Sequence, residues 1–226
     1  MRIFLTGAQG QLGRELQRTL SRHDVISADL PGFDLLTADA EQRMVQAHPD
    51  VIIHTAAYTD VEGAEREPDK ARAVNVEGTE RAARAAAKVG ARLIMISTDY
   101  VFDGKKGAPY VETDQPHPLN TYAQTKLEGE QRALTLCPKT LVVRTAWLYG
   151  RHGKNFVNTI LRLAREKPEL RVVADQRGSP TQAGDLAEAL ARIVHTDLSG
   201  YAPPIRCSRT DAWPSKGFHC LTGKTP

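Results

Sequence analysis

Apolar and polar positions follow two alternating periods along the chain. Short unbroken apolar runs over 2–6, 25–28, 51–55, 93–96 and 140–146 read as strands buried on both faces. Between them apolar residues recur at helical spacing, as at Leu12, Leu16 and Leu20. Further helices are expected over 41–47, over 69–88 with Gly90 as a stop, from a cap at Asn120 through Lys126, over 156–166 before Pro168, and from a cap at Thr181 to about His195. Arg171, Val172 and Val173 read as another strand. Strands alternating with helices predict an α/β fold, a doubly wound parallel sheet with right-handed crossovers, in the strand order 3-2-1-4-5-6. His54, inside an apolar run, reads as a satisfied core residue rather than a ligand.

The first turn carries candidate chemistry. The run Arg2 to Thr6 is followed by Gly7, Gly10 and Gly13, with Gln11 and Leu12 between the last two, and then by the helical pattern. Strand, glycine turn and helix is the context of a dinucleotide site of the Rossmann type, where the backbone approaches a pyrophosphate and the helix N-terminus meets its charge. Asp29 ends the second strand, where an acid accepts a ribose 2′-hydroxyl and favours NADH. Arg14 and Arg18 on the adjoining helix would instead meet a 2′-phosphate, so NADPH stays open. Asp34 and Leu35 follow in a loop placed for adenine. Ala57, Tyr58 and Thr59 come after the third apolar run, at the strand end where ligands bind in such sheets.

A second constellation lies downstream. On a helix capped by Asn120, Tyr122 and Lys126 stand four residues apart and share a face. An ammonium beside a phenol favours the phenolate, so the expected effect is a Tyr122 pKa drawn toward neutrality. Such a phenol exchanges a proton with a carbonyl or alcohol.

The G-x-x-G-x-x-G turn together with Y-x-x-x-K resembles the extended short-chain dehydrogenase/reductase superfamily. The run from Ser97 to Gly104, the P-L-N-T-Y-A-Q-T-K-L-E-G-E run ending at Glu130, Arg144 to Gly150, and Asp175 to Thr181 narrow the resemblance to the dTDP-4-dehydrorhamnose reductases, in order over residues 1 to about 200. It implies reduction of the C4 carbonyl of a dTDP-4-dehydro-6-deoxy sugar with NADPH or NADH as cofactor. Thr98, Tyr122 and Lys126 would be catalytic, with Tyr122 and Lys126 also on the cofactor, and Thr98, Asp99 and Trp147 would hold the sugar nucleotide. Asn75, in N-V-E-G-T, would support the catalytic region. Related dehydratases carry an acid directly after the Thr-Asp pair, where this chain has Tyr100, so reduction fits better than dehydration. Another nucleotide-sugar reductase or epimerase, or a reductase-like regulatory subunit without catalysis, would keep the same motifs.

Composition narrows the partners. Thirty basic and 27 acidic residues, net +3, are interspersed and give no footprint for nucleic acid. No apolar run spans a membrane, and a cytoplasmic monomer or homodimer is expected. Cys137, Cys207 and Cys220 lack C-x-x-C spacing, and no metal is expected, although Glu15 matches a place where some relatives pair around magnesium. The expected division is a nucleotide-binding domain over 1–150 and an incomplete substrate region over 151–226. Within the latter, residues 200–226 hold two of the three cysteines and no sustained period, and read as a truncated or out-of-frame end.

Overall fold

The computed structural model describes residues 1–172, 176 and 178–202. The elements in order are β1 (Arg2–Thr6), α1 (Gln11–Thr19), β2 (Asp24–Ala28), α2 (Ala40–Gln46), β3 (Val51–His54), α3 (Val61–Arg66), α4 (Pro68–Arg72), a π-helical segment (Ala73–Gly78) and α5 (Thr79–Val89). There follow β4 (Arg92–Thr98), a 3-10 turn (Asp99–Val101), α6 (Thr121–Leu136), β5 (Thr140–Thr145), β6 (Leu148–Tyr149), α7 (Phe156–Glu166), β7 (Thr181–Gln182), α8 (Ala183–Ile193) and β8 (Gly200–Tyr201).

Six strands form one sheet in the order β2-β1-β3-β4-β5-β8, and every pairing is parallel. This is the doubly wound α/β sheet that the strand–helix alternation predicts. One face is covered by α2, α5 and α6, around Met44, Ala82, Ala86 and Ala133 packed on Phe4, Ile52, Leu93 and Met95. The other is covered by α1 and α8, where Leu12, Leu16, Leu186 and Leu190 meet Ile3, Leu5, Ile53 and Ile94.

Four expectations are corrected. The third apolar run does not lie outside β2; it pairs with β1 on the opposite side, so the order begins 2-1-3. The physical reason is burial. All four residues of β3 are buried, which suits an interior strand, whereas β2 is half-exposed and closes the sheet. The helix expected over 69–88 is interrupted by the π-helical segment between α4 and α5. The cap of α8 is Gln182, whose side chain accepts from the Asp185 N–H at 2.8 Å, while Thr181 pairs with Leu148 in a small second sheet. Arg171 and Val172 are not in a strand; Val173, like 203–226, lies outside the described residues.

Residues past 150 return to the sheet. Leu186, Leu190 and Val194 belong to the same core as α1, and Arg92 of β4 donates to the carbonyls of Ile193, Val194 and Leu198 beyond α8. Orphan carbonyls at a helix C-terminus are thereby met by a cation. In contrast α7 buries none of its residues and presents Phe156, Val157 and Leu161 to solvent.

Candidate active site

The glycine turn is shaped by contacts that a side chain would break. Gly7 has φ +68°, and a Cβ there would stand 2.7 Å from the Ala56 amide nitrogen. At Gly13 a Cβ would fall 2.7 Å from Ala8 Cα, so α1 leaves β1 with no room for a larger residue. Gly10 starts α1 in extended conformation and no side chain caps it. The first-turn N–H groups thus face a backbone-lined cradle, the arrangement that suits a pyrophosphate. A dinucleotide fits these residues on this geometry. Leu12 packs in the core, and Gln11 accepts from Asn155 Nδ2 at 2.7 Å.

Asp29 holds the turn from beside it. Its carboxylate accepts from the Gln9 N–H at 2.7 Å and from the Leu30 N–H at 2.8 Å. Further lone-pair sites remain for a ribose hydroxyl. Arg14 donates through Nε to the Gln9 carbonyl at 3.0 Å and stays at the same turn, whereas Arg18 turns away to Glu15 at 3.1 Å. Asp34 accepts from the Leu36 N–H, and Leu35 is buried against Gly78.

Ala57, Tyr58 and Thr59 follow β3 at the carboxyl end of the sheet. Asn75, buried in the π-helical segment, fixes this loop: its Oδ1 accepts from the Tyr58 N–H at 2.9 Å and its Nδ2 donates to the Tyr58 carbonyl. The same Nδ2 reaches Thr125 Oγ1 on α6 at 3.1 Å, joining the loop to the helix that carries Tyr122. His54 is neutral and satisfied, between Thr6 Oγ1 at 2.8 Å and Thr79 Oγ1 at 3.1 Å; burial, with the Lys126 charge adding, pushes it down to about 3.

The N-terminus of α6 is tied twice. Asn120 caps it by accepting from the Ala123 N–H at 2.8 Å, as its side-chain chemistry predicts. Glu65 of α3 accepts from the Thr121 N–H at 2.7 Å and from its hydroxyl at 2.9 Å. No local pattern marks Glu65, because its partner is 56 residues away.

Thr98 ends β4, where its hydroxyl donates to Asp99 Oδ1 at 3.3 Å, and it lies close enough to Tyr122 to act on that phenol's acidity. Thr98 Oγ1 also accepts from the Tyr100 N–H at 3.1 Å, and the Tyr100 ring meets Tyr122 edge to face at 5.9 Å. Burial pushes the Asp99 carboxyl up. Trp147 sits beyond β5 with φ +45°, a backbone conformation uncommon for a bulky residue, and its half-exposed indole lies against Gly178.

The electrostatics correct one expectation. Tyr122 is not drawn toward neutrality; burial pushes it up to about 12, with Asp99 and Tyr100 adding and the Thr98 hydrogen bond opposing. Lys126 does not offset this; its Nζ donates to the Ile96 carbonyl at 2.8 Å. Burial pushes Lys126 down to about 8, against the opposing charge of Glu130. Among the described residues, no group of three or more His, Cys, Asp or Glu is placed to hold a metal ion, and no helix is long and apolar enough to cross a membrane.

Comparison with known proteins agrees with this geometry. Residues 1–203 match the family described as RmlD substrate binding domain. A dTDP-4-dehydrorhamnose reductase of Aggregatibacter actinomycetemcomitans is 44% identical over 203 residues, covering 88% of this chain and 69% of that protein. The Escherichia coli K12 protein of the same name is 43% identical over 205 residues, with the same shares. The crystal structure of a dTDP-4-dehydrorhamnose reductase from Bacillus anthracis in complex with NADP superposes with a TM-score of 0.86 at 42% identity, covering 93% of this chain and 78% of that one. With the glycine cradle, the nearness of Thr98 to Tyr122 and these likenesses together, the chain belongs to the dTDP-4-dehydrorhamnose reductase family.

Proposed function

We propose that the protein reduces the C4 carbonyl of dTDP-4-dehydro-6-deoxy-L-mannose to give dTDP-L-rhamnose, with NADPH or NADH. The observation that carries this reading is the burial of Thr98 and Tyr122 at one end of the sheet, joined through Tyr100, whose N–H bonds Thr98 Oγ1 and whose ring packs on Tyr122, one helical turn from Lys126 and at the same strand ends as the glycine cradle. When bound, a reduced nicotinamide dinucleotide supplies the hydride that adds to the carbonyl carbon. The chain's own residues manage the oxygen.

A reductase needs a protonated donor at the carbonyl oxygen. The Tyr122 phenol, held at about 12, is fully protonated at neutral pH and is suited to donate as alkoxide character develops. Thr98 orients that hydroxyl and offers its own hydrogen bond to the same oxygen. Lys126, at about 8, is mostly an ammonium at pH 7; on turning from the Ile96 carbonyl it would stabilise the charge left on the phenol and meet the nicotinamide ribose. Gly7, Gly10, Gln11, Leu12 and Gly13 would hold the pyrophosphate, Asp29 the ribose, and Asp34, Leu35, Ala57, Tyr58 and Thr59 the remaining nucleoside edge. Asp99 and Trp147 would hold the sugar nucleotide. Tyr100 stands where a dehydratase needs an acid, and its half-exposed ring has no carboxyl to supply.

The protein would act in the cytoplasm as a monomer or homodimer, without nucleic acid or membrane partners. The test is loss of reduced-nicotinamide absorbance on adding the dTDP-ketosugar. Tyr122→Phe should lower turnover by about 100-fold or more while cofactor affinity is nearly unchanged. Turnover unchanged by Tyr122→Phe would end this assignment.

A further inference from the structure

Tyr122, Lys126 and Glu130 recur every fourth residue along α6 and so lie down one side of it. Lys126 and Glu130 are both buried, Glu130 completely. They do not form a direct ion pair among the described contacts: the Lys126 ammonium goes to the Ile96 carbonyl, and the Glu130 carboxylate is taken by Arg144 of β5. That grip is bidentate, Nε to Oε1 at 3.0 Å and NH2 to Oε2 at 2.6 Å, which fixes both oxygens at once. The guanidinium is itself clamped, 5.0 Å from the Phe102 ring centroid and 4.3 Å from that of Tyr201 on β8. The Glu130 charge, after burial, holds the Tyr201 phenol above its ordinary pKa, so the two side chains are neighbours.

A carboxylate so thoroughly fixed, in the core, one turn below an active-site cation, is more than a fold-stabilising pair. Replacing a buried ion pair by apolar residues is often neutral for stability, so such a pair is weak evidence of a stabilising role. The other groups around Lys126 cannot supply its counter-charge. His54 from β3 is neutral, Tyr122 on α6 is a neutral phenol, Tyr201 from β8 is a phenol with its pKa raised by burial, and Arg144 from β5 is a cation. Asp99 lies on the 3-10 turn, and its carboxyl is pushed up by its own burial.

We propose that Glu130, locked by an Arg144 guanidinium that itself packs on the rings of Phe102 and Tyr201, is a positioning residue that keeps Lys126 cationic in its buried place on the helix that carries Tyr122. The Phe102 ring lies three residues beyond Asp99, so the same clamp ties the segment following Thr98 to the charge balance of Lys126. Burial has already brought Lys126 to about 8, and without the carboxylate it would lose its proton within the physiological range.

The inference rests on the reading of Lys126 as the cation of the site, and its test is independent of turnover. The full chain is labelled with ε-13C lysine, and the Lys126 signal is identified by its loss in Lys126→Arg. Its titration midpoint is then followed by NMR without added ligand. Glu130→Gln should lower that midpoint by about one pH unit or more, and Glu130→Asp, which keeps the charge, should restore most of it. An equal midpoint in the parent and in Glu130→Gln overturns the proposal, even if thermal stability has fallen. Should Glu130→Gln fail to fold, Arg144→Met is read instead: it removes a like charge and frees the carboxylate from its partner, so the midpoint should rise, and an unchanged one is equally fatal. Absent turnover with the expected midpoint shift would instead count against the proposed reaction alone.

Discussion

Gly129 offers a test of how α6 is held in place. A Cβ at this position would press about 1 Å inside the van der Waals limit of the Asn75 carbonyl oxygen, and it would also touch Met95. Backbone on both sides makes the overlap costly to relieve. Either α6 moves outward, or the π-helical segment does, and both carry parts of the site: Tyr122 and Lys126 on one, Asn75 with its bonds to Tyr58 and Thr125 on the other. Overpacking of this kind costs about 1–3 kcal/mol. For a chain of this size that is a fall of roughly 3–10 °C in Tm. A displacement of about 1 Å in a group that must meet a reacting atom costs on the order of 100-fold in rate. Gly129→Ala should therefore unfold earlier in a thermal melt and reduce the ketosugar at a small fraction of the parent rate. A variant with parent Tm and turnover within twofold would refute the claim that backbone contact at Gly129 sets the position of Tyr122.

Three other outcomes are expected. Gly13→Ala should weaken NADPH binding by about tenfold or more, read by quenching of intrinsic fluorescence, because the new methyl meets Ala8 where α1 leaves the cradle. His54 should make the fold acid-sensitive. Its folded pKa of about 3 lies below the unfolded value of 6.5, so the unfolded chain binds more protons between these limits, and stability is lost as pH falls through that window. The loss amounts to on the order of 4 kcal/mol by pH 3, and His54→Gln should flatten that part of a urea-midpoint-against-pH curve. Asn120→Ala should cost about 1 kcal/mol in chemical denaturation, since Glu65 still holds the first N–H of α6 while that of Ala123 loses its acceptor.

What was legible in the sequence was whatever depends on neighbours in the chain. The Gly7, Gly10 and Gly13 turn, the Asn120 cap and the shared face of Tyr122 and Lys126 all follow from local spacing, and so do most of the strands. The place of β3 beside β1 also has a local sign, since an apolar run without a polar face belongs inside a sheet. Other features depend on tertiary contact. The π-helical segment places Asn75 against both the Tyr58 loop and α6, and nothing in its own residues announces the extra turn width. Thr181 looked like a cap because its hydroxyl chemistry suits one, but pairing with Leu148 took its backbone and left Gln182 to cap α8. The Tyr122 environment is not legible locally, because helical spacing tells which side chains share a face but neither how deeply the phenol is buried nor where the Lys126 ammonium finds its acceptor.

The helix α7 has a consequence for handling the protein. With Phe156, Val157 and Leu161 turned to water and none of its residues buried, it gives the molecule an adhesive stripe. Light scattering should climb with protein concentration and with added sulfate, and a fluorescent probe of greasy surfaces should bind to the native state. Leu161→Lys, placing a charge in the middle of that stripe, should suppress both signals while leaving the melting curve where it was.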